Sequence, residues 1–419
     1  MIKELKLRNW KSFSEATAYI DRLTILIGTN ASGKSNLLDA LLFLQRIAFG
    51  RSLTAAIAGD AESLGIRGGL EWVARKPEHQ LGLEVLIQDP NTDKIEYRYL
   101  IEIAINGVRA ELVDESLVRI EYRPRSTTPV ERNLYHANRD EVSGAAIPAY
   151  FYTGTQGRGK RFDMNRAYCI LSQMESQNFR REVSEGSRLV QEQLQRIFIL
   201  DPIPSHMRNY STFADKIQAD GANIAGVLAA LPQDRKGEVE AIVTRYLKQL
   251  PERDIQRVWT EPIGKFRTDA MLYCEERWSD NSEINIVDLR GMSDGTLRFL
   301  AIIAALLTQE RHSLLVVEEV DNGLHPSRAH VLIQMLRELA EQRAIDIIVT
   351  THNPAVLDAL GSRMVPFISI VHRDITTGAS TITLLEELDL LPKLIAGGTL
   401  GHLATQGQIE SALKAQAEG

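Results

Sequence analysis

Hydrophobic positions in this chain follow patterns that change along its length. Leu23-Thr-Ile-Leu-Ile27, Leu314-Leu-Val-Val317 and Ile345-Asp-Ile-Ile-Val349 are short, nearly unbroken apolar runs, as expected of strands buried on both faces of a parallel sheet. Asn36 to Phe49, Leu297 to Thr308 and Ser327 to Arg343 read as the helices between them. Ile95 to Ile105 is different: it alternates apolar with polar or small residues, Asn106-Gly107 supplies a hairpin turn, and Val108 to Tyr122 returns. Asp89-Pro-Asn-Thr-Asp93 marks the turn before this antiparallel pair. From about Ser126 to Asp254 the composition shifts again. Arg166 to Phe198, Asn223 to Leu231 and Arg235 to Leu250 read as helices, predicting a compact helical insertion. Strands alternating with helices on either side of it predict an α/β fold with a mixed sheet.

The first apolar run leads into Gly28-Thr-Asn-Ala-Ser-Gly-Lys-Ser35, which matches G-x-x-x-x-G-K-[ST] without a mismatch. Gly28 and Gly33 allow a tight turn whose N–H groups converge on phosphate oxygens. Lys34 places a point charge at the β- and γ-phosphates, and the Ser35 hydroxyl can ligate Mg²⁺. Strand, loop and helix stand in the required order, with the helix N-terminus facing the anion. This predicts binding of a nucleoside triphosphate.

Composition narrows the setting. The 419 residues are 44% hydrophobic, enough for two or three lobes with cores of their own. Two cysteines, Cys169 and Cys274, make neither a disulfide framework nor a zinc site, which points to a reducing compartment. The first residues carry charges and no apolar segment of a secretory signal. The longest apolar stretch, Phe299 to Thr308, falls short of the roughly 20 residues that span a bilayer. A cytoplasmic protein without a membrane partner is expected. A net charge of −7 gives no overall attraction to nucleic acid, so contact with DNA or RNA would need a local patch. Thr153-Gly-Thr-Gln-Gly-Arg-Gly-Lys-Arg-Phe162, with Arg158, Lys160 and Arg161, is one such patch. Three basic residues are ordinary for a surface, so a solvated loop is the favoured reading, and the same caution holds for Arg119, Arg123 and Arg125.

The second half of the chain carries the chemistry. Leu314 to Val317 ends in Glu318-Glu319, the pattern of a buried strand delivering carboxylates where open α/β sheets place their ligands. One can hold the Mg²⁺ shell, and the next can polarise an attacking water. Asp321 opens a turn just beyond, and the strand Ile345 to Val349 delivers His352 to the same sheet edge. Arg290-Gly-Met-Ser-Asp-Gly-Thr-Leu-Arg298 precedes an apolar helix, so Ser293 and Gly295 can offer donors to an anion. Taken alone, the same residues are simply an N-cap serine and a turn glycine.

These motifs together resemble the ATP-binding-cassette (ABC) ATPase head. The similarity is to its RecF/SMC type, found in DNA repair and phage defence, including the OLD (overcoming lysogenization defect) ATPases. Asn9-Trp-Lys-Ser-Phe13 resembles the N-terminal element that brings a basic residue, here Lys11, to the nucleotide. Gly28 to Asn36 matches G-x-N-x-S-G-K-S-N, which implies ATP contacts from Gly28, Thr29, Asn30, Ala31, Ser32, Gly33, Lys34, Ser35 and Asn36. By the same resemblance, Ser293, Asp294 and Gly295 are a signature acting on a partner's ATP, Ser35 and Glu318 hold Mg²⁺, and Glu319 is the catalytic base. Asp321 begins a D-loop and His352 is the switch histidine. Departures are Met-Ser-Asp-Gly-Thr at the signature, Glu318 where many relatives carry Asp, and a Q-loop for which Gln173 is a weak candidate.

The resemblance implies a split ABC head. Residues 1–125 would hold the P-loop and a flanking antiparallel β-lobe, 126–254 the helical insertion, 255–390 the rest of the head, and 391–419 a tail. It implies an ATP- and Mg²⁺-dependent homodimer or higher oligomer. The tail leaves no room for a Toprim nuclease, so any nuclease effector would be a separate polypeptide. The small insertion, the absence of a zinc hook and the OLD-like signature favour defence over repair. Two other classes use similar motifs. The long stretch between Ser35 and Ser293 disfavours a transporter motor, and the paired glutamates disfavour a non-hydrolysing ATP-binding scaffold.

Overall fold

The three apolar runs lie side by side in the core of a mixed sheet. A computed structural model describes the chain apart from residues 62, 125, 127, 142–143, 155–158, 177–178, 251–254, 278–282, 390 and 419. Its larger sheet has 14 strands. At one end Ile197–Leu200, Leu314–Val317, Asp346–Thr350, Leu23–Ile27 and Ile368–Arg373 run parallel in that spatial order. Ser380–Leu384 then pairs antiparallel to Ile368–Arg373 and reaches Phe13–Tyr19 through a Ser380–Phe13 bridge. From there Ile2–Trp10, Gln80–Gln88, Ile95–Asn106, Arg109–Glu121, Val130–Ala137, Ala146–Phe151 and Lys160–Asn165 continue antiparallel.

Period two explains why the parallel strands tolerate no polar face. Leu23, Ile25, Ile27, Leu315, Val317, Ile347 and Val349 enter one core, with the helices Asp294–Thr308 and Ala329–Arg343. Leu26, Leu314, Val316 and Ile348 enter the other, with Leu37, Leu41, Phe43 and Leu44 of the helix Lys34–Ala48. Both faces are covered, so each Val, Leu or Ile withdrawn from water contributes about 1.5–3 kcal/mol.

Residues 126–254 are less helical than their composition suggests. Val130–Ala137, Ala146–Phe151 and Lys160–Asn165 extend the antiparallel lobe beyond residue 125. The expected helix over 166–198 is confined to Arg181–Gln195, and Ile197–Leu200 becomes the edge strand beside Leu314–Val317. The physical reason is local: Ile-Phe-Ile-Leu loses side-chain freedom in a helix but fits a pleat, and the parallel register buries Ile197 and Leu200. Ile224–Ala230 and Gln233–Leu247 are helices as predicted. They pack on a second sheet made of Ser211–Thr212, Ile255–Ile263, Asp269–Glu276 and Asn285–Asp288. The tail joins the core too: Leu400, Leu403, Ile409 and Leu413 are buried, and Gly401 N–H donates to Asp358 Oδ1 at 2.6 Å. Among the described residues no helix is long and apolar enough to cross a membrane.

Candidate nucleotide-binding site

The glycine-rich loop leaves the C-terminal end of Leu23–Ile27, a central parallel strand, and enters the helix Lys34–Ala48. Its path is tight. Gly28 has φ 148°, and a Cβ there would lie 2.1 Å from the Val371 carbonyl oxygen, so any side chain would displace backbone. The neighbouring strands hold the loop in place. Arg373 Nε donates to the Ala31 carbonyl at 2.9 Å, and Ser380 Oγ donates to the Ser32 carbonyl at 2.5 Å. Asn36 Nδ2 donates to Ser12 Oγ at 2.7 Å, and Trp10 Nε1 donates to the Asn36 carbonyl at 2.7 Å. Thr29 and Asn30 stay exposed at the mouth. Lys34 Nζ folds over the loop, donating to the carbonyls of Gly28 at 2.6 Å and Thr29 at 3.1 Å. Burial lowers the pKa of this ammonium, while the charges of Glu319 and Glu318 oppose the shift.

The carboxylates meet the loop from the neighbouring strands. Ser35 Oγ donates to Glu318 Oε1, joining the end of Leu314–Val317 to the first turn of the loop helix. Glu319 follows, exposed and at φ 48°, a left-handed conformation costing a non-glycine residue on the order of 1 kcal/mol. Two contacts hold it there: Glu319 N–H donates to Thr350 Oγ1 at 2.7 Å and Val320 N–H to the Thr350 carbonyl at 3.0 Å. Thr350 ends the adjacent strand, and His352, exposed, lies two residues on. Asp321 is 6% exposed, and its Oδ1 meets no hydrogen-bond donor among the described residues.

Three residues outside the sequence motifs complete this cluster. Asp39 lies one turn along the helix from Ser35, a spacing that puts both on one face. It pairs with Lys11 and with Arg67, whose NH2 lies 3.1 Å from Asp39 Oδ1. The same guanidinium reaches Glu318 Oε1 at 3.3 Å and the Ser35 carbonyl at 3.0 Å. Burial disfavours the Arg67 charge, but the pairs with Asp39 and Glu318 outweigh it and raise its pKa. Lys11, at φ 49° with its side chain 6% exposed, is thus committed to Asp39. Asp201 follows Ile197–Leu200, one strand beyond Glu318. Burial pushes its carboxyl pKa up, and the negative charge of Glu318 adds to the shift. Spacing from Ser35 could have revealed Asp39. Arg67 and Asp201 belong to no local pattern, because sheet order alone brings them here.

The signature residues stand elsewhere in the chain. Ser293 caps the helix Asp294–Thr308: its Oγ accepts from Thr296 N–H at 3.2 Å and lies 2.9 Å from Thr296 Oγ1. Gly295 packs against the turn after Asp321, where a Cβ would come within 2.7 Å of the Gly323 carbonyl oxygen. Among the described residues, Ser293, Asp294 and Gly295 make no hydrogen bond to residues 28–36. Gln173 does not serve this site. Its side chain is spent on backbone, donating to the carbonyls of Asn165, Tyr168 and Cys169 and accepting from Asn165 N–H. Cys169 Sγ donates to the Ile47 carbonyl, which places Gln173 near the far end of the loop helix. In the basic patch, Arg158 lies outside the described residues, as does Arg125. Arg161 pairs with Glu141 and Asp163, and Lys160 lies 4.7 Å from the centre of the Phe162 ring.

Residues 23–358 match the model of a family described as "AAA domain, putative AbiEii toxin, Type IV TA system". The chain belongs to this family. The match spans all of the motifs above except Lys11. A second likeness, 35% identity over 121 residues, is to the DNA replication and repair protein RecF of Allorhizobium ampelinum. It covers 27% of this chain and only 29% of that relative. Among solved structures, the Smc head domain of Pyrococcus furiosus with an extended coiled coil, bound to the C-terminal domain of ScpA, aligns over 94% of this chain and 99% of its own. Its TM-score is 0.52 at 12% identity, a likeness of fold. The SMC head of Thermotoga maritima aligns over 91% of this chain and 98% of its own, with 15% identity and a TM-score of 0.42. The chain therefore carries an AAA-type domain, similar over 121 residues to RecF, on a mixed α/β fold like that of the Pyrococcus furiosus Smc head.

Proposed function

We propose that this protein binds and hydrolyses ATP as a nucleotide-sandwich dimer, using the cycle as a conformational switch. The observation that carries the reading is the Ser35–Glu318 contact with Glu319 beside it, at the sheet end where the glycine-rich loop opens. That the signature residues lie apart from the loop in their own chain supports a site completed by a second copy. The oxygen donors of Ser35 and Glu318 suit Mg²⁺, and the Arg67 guanidinium paired with Glu318 supports a cation at this position. Ser35 and Glu318 would hold the metal, which when bound supplies charge neutralisation at the phosphates.

Phosphoryl transfer to water is mainly positioning and charge neutralisation. Lys34 would balance charge at the β- and γ-phosphates, Glu319 would orient and deprotonate the water, and His352 would sense the γ-phosphate. Ser293 and Gly295 would contact the partner's nucleotide, and Asp321 would line the same contact. The setting we favour is anti-phage defence, with DNA repair as the other possibility and a separately encoded, nuclease-like effector as the partner. The likeness to RecF supports a DNA-related setting without choosing between the two.

Ser293→Arg tests the sandwich. ATP should bind at the native affinity, because the P-loop is untouched, while phosphate release and ATP-driven pairing should be lost. A variant that still hydrolyses ATP at the native rate removes the signature from the site. Arg67→Ala tests the cluster missed in the motifs. Loss of a charged partner to Ser35, Asp39 and Glu318 should weaken ATP binding by about 1.5–3 kcal/mol, roughly 10- to 100-fold. An unchanged titration curve would exclude Arg67 from the nucleotide site.

A further inference from the structure

Ser293 and Gly295 are useful to a second copy only if the loop before them is held in one shape. Residues 289–292 are a connection between the strand Asn285–Asp288 and the helix Asp294–Thr308. The Leu289 side chain is buried, but the carbonyls that follow belong to no sheet or helix ladder. One side chain from the inserted segment gathers them. Arg208 NH1 donates to the Met292 carbonyl at 2.8 Å and the Arg290 carbonyl at 2.9 Å, with the Leu289 carbonyl at 3.5 Å. Its NH2 lies 2.5 Å from Asp294 Oδ1. A planar guanidinium is the only side chain that can offer several donors in a fixed fork to carbonyls and a carboxylate at once.

Arg208 comes from outside the head motifs. It follows the short helix Pro204–Met207, whose chain departs from the edge strand Ile197–Leu200 after Asp201. Nothing in its local sequence marks it. The arrangement leaves Ser293 exposed at the start of the helix, while Arg208 fixes the backbone just before it. We infer that Arg208 is a positioning residue for the signature: it never touches nucleotide, and it acts on the ATP bound by the other copy. This rests on the sandwich reading proposed above.

Complementation between subunits tests the inference. Arg208→Ala should bind ATP at native affinity and lose about 10- to 100-fold in hydrolysis, the scale of one or two charged hydrogen bonds. Arg208→Lys, a point donor without the fork, should recover part of the rate. Mixed with Lys34→Ala, Arg208→Ala should regain activity, because the mixed pair has one site with an intact loop and an intact signature. With random pairing of a two-fold dimer, the mixture should reach about a quarter of the native rate.

Ser293→Arg mixed with Lys34→Ala is the control. If the control is rescued and the Arg208→Ala mixture is not, Arg208 acts on its own subunit and the inference fails. If neither is rescued, the sandwich reading itself falls and takes the inference with it. Native hydrolysis by Arg208→Ala alone also overturns it.

Discussion

Glu319→Gln is expected to bind ATP and fail to hydrolyse it. The amide keeps the size of the side chain and can still hydrogen-bond, but it cannot accept the proton of an attacking water. Hydrolysis should fall by about 10²-fold or more, the usual scale for losing a positioned base. The backbone should not change: Glu319 is held at φ 48° by Thr350 through its own N–H, and among the described residues its exposed side chain makes one long hydrogen bond, accepting from Asn322 Nδ2 at 3.3 Å. Binding survives because Lys34, Ser35 and Glu318 are untouched. Since ATP would lie at the subunit contact, the variant should gain mass in light scattering with ATP and Mg²⁺, and the native protein should relax as it turns over. Glu318→Gln should behave differently. It removes the charge that meets Ser35 Oγ and Arg67, so tight nucleotide binding and Mg²⁺ dependence should fall together. If Glu318→Gln traps ATP and Glu319→Gln does not, the two roles are exchanged. Full hydrolysis in both would discard the catalytic assignment at the end of Leu314–Val317.

Lys34→Ala should abolish turnover at an earlier step. The ammonium now donates to the Gly28 and Thr29 carbonyls, so it is poised above the loop and can swing to a phosphate without new backbone movement. Burial lowers the pKa of this ammonium, and the charges of Glu319 and Glu318 oppose the shift. Removing a buried partner of an ionic ligand costs about 2–5 kcal/mol, roughly 30- to 5 × 10³-fold in affinity. Isothermal titration with ATP should show that loss, and circular dichroism should show no change in fold. Native affinity would mean that residues 28–35 do not hold the phosphates.

The loop was legible because its constraints are local. Gly28 needs a backbone that no side chain permits, Lys34 and Ser35 follow at a fixed offset, and an apolar strand and a helix flank them. Glu318 and Glu319 were legible for the same reason, as carboxylates ending a run that only a buried parallel strand explains. The insertion was misread where composition stood in for pattern. Arg181–Gln195 has the helical composition that was expected of the whole of 166–198, yet Ile197–Leu200 needed Leu314–Val317 beside it before its strand character could decide. Lys160–Asn165 is likewise a strand only because Ala146–Phe151 offers it an edge.

The sequence by itself determined the buried strands, the tight glycine-rich loop and the identity of the groups at the strand ends, because each depends on neighbours within a few residues. Tertiary structure alone decided which of those ends meet. Strand order puts Thr350 between Glu319 and the loop strand, and it carries Asp201 to the strand end next to Glu318. Arg67 reaches Ser35 from 32 residues away and Glu318 from 251, and Arg208 reaches the signature loop from more than 80. Such contacts are fixed by how a twisted sheet and its covering helices pack. A guanidinium's sequence neighbours say nothing about which carbonyls the fold will bring to it.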